Sequence, residues 1–142
     1  MKLKMTIPST TTTSYVSAED VKKKSDGISD KGYFFGEIDW DDATDPIVVT
    51  VKCTTYIDKT LTGKQKKDVE AHEHQHFADF ITLAGQMKKD IEGALKGGKD
   101  PQIQDRVNWL NYDKCVKSAA FHRKTAGYSA EMCFKPSSDR PK

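Results

Sequence analysis

Between about Gly63 and Lys96 the apolar residues of this chain stop alternating and recur at helical spacing. A helix that long must turn one side toward a core, so its apolar stripe constrains everything packed against it. With His72 at zero and about 100° per residue, His76 falls about 40° away. Val69, Phe80, Leu83, Met87, Ile91 and Leu95 all lie within a sector about 140° wide. Glu73 falls near the middle of that sector, whereas His74 points to the opposite side and is expected in solvent. Two imidazoles and a carboxylate therefore share a stripe with Val, Phe and Met, a costly burial unless something compensates them.

A metal ion compensates such a group. Imidazoles at i and i+4 bring two nitrogens to one point beside a helix, as tetrahedral Zn²⁺ at about 2.0–2.1 Å requires. In His72-Glu73-His74-Gln75-His76 the glutamate cannot reach that coordination position. It can reach a water that zinc activates, and accept its proton. Tetrahedral zinc needs a third protein ligand. Asp79 lies about 10 Å along the axis from His72 and is better placed to orient an imidazole. Asp90 and Glu92 are farther still.

The third ligand is therefore expected from another element. Gly97-Gly98 stops the first helix, and Pro101 opens a second that runs to about Lys124 and is ended by Gly127. A short connection sends the second helix back beside the first. Its late candidates are Asp113, His122 and, beyond it, Glu131, and His122 is chosen as a nitrogen donor at the right level. Arg123 and Tyr128 follow closely, and each offers a donor to an oxyanion at a polarised carbonyl.

The first half reads as strand. Within residues 46–58, Ile47, Val49, Val51, Cys53 and Ile57 share one face, with Thr50, Lys52 and Thr54 on the other. An edge of this strand offers an extended peptide a pairing partner. Glu37–Trp40 is expected to pair with it through the turn-like stretch Asp41–Pro46. Gly32–Gly36 suggests a short strand or tight bend, and a short helix is expected around Ala18–Lys24. The fold expected is α+β and zincin-like: a small antiparallel sheet on a long metal-binding helix and a second, C-terminal helix. Residues 1–14 form a flexible Thr/Ser-rich lead-in, 15–135 a single domain, and 136–142 a polar tail.

Composition narrows the partners. The chain has 142 residues, of which 36% are apolar and 31% charged, suiting one domain with a modest core. Lys and Arg total 23 against 21 Asp and Glu, so charge gives no argument for nucleic acid or an anionic membrane. The run Lys22–Lys24 is flanked by Glu19, Asp20 and Asp26 and reads as a solvated face. No stretch approaches 18 apolar residues, so no membrane span is expected. The start lacks the apolar core of an intact signal peptide. Cys53, Cys115 and Cys133 permit one disulfide, with three pairings open.

Gly32–Trp40, the alternating strand with Cys53, and Glu70–Phe77 together resemble a bacterial domain family described as predicted secreted zinc-dependent proteases. The likeness spreads over roughly residues 32–128, and its sharp part is the His-Glu-x-x-His helix followed by an acid, here Asp79. It implies zinc on His72 and His76, Glu73 as base, and a secreted or periplasmic location. The C-terminal part departs from it. The family tends to carry an aromatic-Asp pair and then Thr-x-His-Gly. This chain has Phe121-His122-Arg123-Lys124-Thr125-Ala126-Gly127, so His122 stands where the Asp would be and the later His is absent. The expected activity is a zinc metallopeptidase acting on a peptide or protein substrate. The competing expectations are a zinc-stabilised binding module, with His74 or Cys115 closing the fourth position, and an effector or toxin domain using the same chemistry.

Overall fold

A computed structural model describes residues 1–125, 128 and 131–142. In order, the elements are β1 (Leu3–Thr6), β2 (Thr12–Val16), α1 (Ala18–Lys24), β3 (Gly32–Asp41), β4 (Ile47–Asp58), α2 (Gly63–Lys96) and α3 (Ile103–Lys124). A small sheet with one short helix between its strands and two long helices after it is the α+β arrangement expected.

β4 is the inner strand. β1 pairs parallel with its start, Leu3 opposite Ile47, and β2 pairs parallel with its end, Val16 opposite Asp58. β3 also pairs with β4. The Asp58 N–H donates to Lys31 O at 2.8 Å, joining the end of β4 to the chain entering β3, so these two run antiparallel. The sheet is thus mixed, not wholly antiparallel, because alternation reveals which face is buried and says nothing of strand direction. Among the described residues β4 is already paired with β1 over 47–50, with β2 over 54–58 and with β3, so the edge that a peptide would use is taken up along those stretches. Residues 1–14, expected as a flexible lead-in, supply β1 and most of β2. The alternation in β4 holds: Ile47, Val49, Val51, Cys53 and Ile57 are buried.

Contacts group the chain into two compact units, Met1–Ile7 with Ile38–Thr50 and Asp79–Lys142, and Pro8–Glu37 with Val51–Ala78. In the second, Phe34 of β3 meets Phe77 of α2 edge-on at 5.9 Å, and Ile57, Leu61 and Val69 form a buried cluster. The glycine at position 32 brings β3 hard against α2. A Cβ there would lie 2.6 Å from Val69 Cγ1 and 3.0 Å from Glu73 Cγ.

In the first unit the later half of α2 faces α3. Leu83, Met87 and Asp90 of α2 and Arg106, Leu110 and Asp113 of α3 line a cavity of about 120 Å³. Gly98, at φ +69°, ends α2 in the left-handed region open to glycine, and Lys99 N–H donates back to Ala94 O at 2.9 Å. α3 begins two residues after Pro101 and runs to Lys124. Gly127, offered by the sequence as its stop, lies outside the described residues. The tail has no helix or strand yet is held to α3. Trp109 Nε1 donates to Ser138 O at 3.2 Å. Arg140 pairs with both Asp113 oxygens, at 2.7 and 2.9 Å, and its guanidinium lies 4.3 Å over the Trp109 ring. Among the described residues no helix is long and apolar enough to cross a membrane.

Candidate metal centre

α2 keeps both histidines and the glutamate on its inner side. His72 and Glu73 are buried, Glu73 only 4% exposed, His76 is half-buried and His74 is exposed. The Nε2 atoms of His72 and His76 face each other at 3.1 Å, with ring centroids 4.8 Å apart. Two nitrogens sharing a tetrahedral zinc at about 2.0–2.1 Å stand about 3.3 Å apart, so the pair is already spaced as two ligands. The ligand atoms of His72, His76 and His122 all lie within 4.8 Å of one another. The residues chosen from the sequence as ligands are therefore brought together.

Each alternative third ligand has another role. Asp113 is taken by Arg140 in a two-point ion pair. Glu131 Oε2 sits 3.0 Å from His122 Nδ1, so it supports the histidine rather than replacing it. Burial opposes ionisation of Glu131, but hydrogen bonds from Ser118, from its own backbone and from His122 outweigh it and hold the carboxyl below the ordinary range. A carboxylate on Nδ1 requires the proton there, which leaves Nε2 as the nitrogen His122 presents to an ion. The His122 side chain is 11% exposed, and the Tyr128 ring stacks on it at 5.0 Å with 17° between planes. Arg123, beside it, is exposed.

Glu73 lies in a close-packed setting. Burial raises its carboxyl to about 7, while a hydrogen bond from the Phe34 backbone pulls the other way. Tyr33, on the same strand, is raised above its ordinary value by its own burial and then by Asp26 and Glu73. The sequence reading missed both β3 partners of Glu73. Gly32-Tyr33-Phe34 stands some 40 residues upstream, and only its glycine, a mark of close backbone approach, hinted at them.

The donor set fits a borderline-soft divalent cation. Three imidazoles without a thiolate suit zinc, and a second carboxylate orients one of them. Cys115 is joined to Cys133 in a disulfide and offers no thiolate, and His74 points away. Among the described residues the group has three members, the number that leaves a fourth position for water or substrate. Scans of protein-family models, curated proteins and solved structures each found no match. The functional argument therefore rests on the site alone.

Proposed function

We propose that the protein is a zinc-dependent hydrolase of peptide or related amide bonds, with a zincin-like use of its long helix. His72, His76 and His122 hold the ion, and Glu73 is the general base. The observation carrying this reading is the convergence of three imidazoles beside a buried glutamate on the same helix. When bound, zinc polarises a carbonyl and makes a water acidic near neutral pH.

The rest falls to the chain's own groups. Glu73, steadied by the Phe34 N–H and the wall at Gly32, takes a proton from water and returns it to the departing amine. Tyr128 packs on His122 and is the nearer candidate to donate to a developing oxyanion; exposed Arg123 is suited to hold substrate at the rim. The disulfide suits an oxidising, secreted or periplasmic setting.

The test is Glu73→Gln, assayed for zinc content and for cleavage of an unfolded protein substrate. Stoichiometric zinc with hydrolysis reduced by a factor of about 100 or more is expected, as for loss of a general base. Zinc retained with undiminished cleavage removes Glu73 from the chemistry. Zinc bound stoichiometrically by a wild type that cleaves nothing favours the zinc-stabilised binding module.

A further inference from the structure

Cys115, Ser118 and His122 stand at i, i+3 and i+7 on α3, and so form one stripe of that helix. Each engages the chain that follows the helix. Cys115 is bonded to Cys133, with Cα atoms 5.7 Å apart. Ser118 hydrogen-bonds Glu131. His122 receives Glu131 on Nδ1 and Tyr128 on its ring face. The contacts run in antiparallel order, the covalent one at one end and the histidine at the other. Besides the crosslink, hydrogen bonds at Glu131 and the Tyr128 ring stack join the described residues of this segment to the stripe. With the crosslink, Cys133 is tied to α3 two residues from Glu131, which limits how far Glu131 can move from His122.

We infer that the Cys115–Cys133 disulfide is a clamp on the third metal ligand: by holding Glu131 on His122 it sets the nitrogen presented to the ion, and the oxidised chain binds zinc more tightly than the reduced chain. Glu131 is a positioning residue, acting through His122. The inference rests on the ligand set proposed above. Reduction by a thiol such as glutathione joins two reductant sulfurs in a disulfide; the two electrons and two protons end on the thiols of Cys115 and Cys133. Loss of a partner that orients a ligating histidine lowers metal affinity by about 10–100-fold. Coupling is reciprocal, so zinc must make the disulfide harder to reduce by the same factor, about 30–60 mV for two electrons.

The test titrates the full chain in glutathione redox buffers, with and without saturating free zinc held by a chelating buffer, and measures zinc uptake of the oxidised protein alongside. A midpoint lower by about 30–60 mV with zinc is expected. In Glu131→Gln and in His122→Ala the zinc effect on the midpoint should vanish, whereas a crosslink that merely stabilised the fold would keep it. The wild-type titration needs no substitution, so it decides the matter even where a variant fails to fold. An unchanged midpoint overturns the clamp, as does a midpoint raised because the released thiolates capture zinc. If the oxidised protein takes up zinc without this linkage, only the clamp falls. If it takes up none, the ligand set falls with it.

Discussion

Gly32 and Glu73 are packed so closely that one methyl group on Gly32 would lie 3.0 Å from Glu73 Cγ, with Val69 Cγ1 nearer still at 2.6 Å. Gly32→Ala must displace β3 or α2 and should destabilise the fold by about 1–3 kcal/mol through overpacking. Because Val69 makes the tighter contact, the penalty should shrink in a Val69→Ala background. Denaturant unfolding of the two single variants and the double variant measures that coupling. An unaltered midpoint for Gly32→Ala would refute the close approach.

Metal-free protein should lose stability as pH rises through the weakly acidic range. The Glu73 carboxyl ionises at about 7 in the folded chain against 4.5 ordinarily. Below about 4.5 both states hold the proton and Glu73 contributes nothing. From there to about 7 the unfolded chain releases it while the folded chain keeps it, so stability falls, and then levels off above. A gap of that size corresponds to about 3 kcal/mol. Glu73→Gln should therefore be more stable than wild type at pH 8 and equal to it near pH 4, read by urea unfolding in chelator.

Zinc should raise the melting temperature of the wild type. At about 100 times Kd the ion adds about 2.7 kcal/mol, a rise of roughly 5–10 °C for a chain of this size. His72→Ala should show no rise, and His122→Ala only a small one. The exposed His74 serves as control, and His74→Ala should respond like the wild type. A full response in His122→Ala would move the third ligand elsewhere.

The tail should depend more on Trp109 than on its ion pair. Arg140 is exposed and Asp113 half-buried, so solvent screens the pair and Arg140→Ala should cost about 1 kcal/mol or less. Trp109 is buried, and Trp109→Ala should cost about 3–5 kcal/mol. Thermal unfolding of the two variants separates them. A larger loss from Arg140→Ala would invert the ranking.

The two long helices were legible because apolar spacing over many turns outweighs local noise. The Gly63 start, the Gly97-Gly98 stop and the end near Lys124 stand where the sequence puts them. β4 was legible because its alternation is regular. β1 and β2 were not, since only Met5 among their residues is fully buried and Thr-rich segments carry no alternation. The pairing of His72 with His76 follows from spacing on one helix. That His122, and not Asp113 or Glu131, stands with them did not, because it takes the structure to place Asp113 on Arg140 and Glu131 on His122. Those contacts, nine residues apart for His122 and Glu131 and 27 for Asp113 and Arg140, are made by chain folding, and no periodicity announces them. The same holds for Phe34 and Gly32 at Glu73.

Trp109, roofed by the Arg140 guanidinium and bonded to the Ser138 carbonyl, also makes the tail observable by light. The chain has two indoles, Trp40 and Trp109. With Trp40→Phe as background, the remaining fluorophore lies under residues 138–140. Lifting those residues would wet the ring and move its emission to the red, so a spectrometer can follow the last turn of the chain docking and undocking in real time.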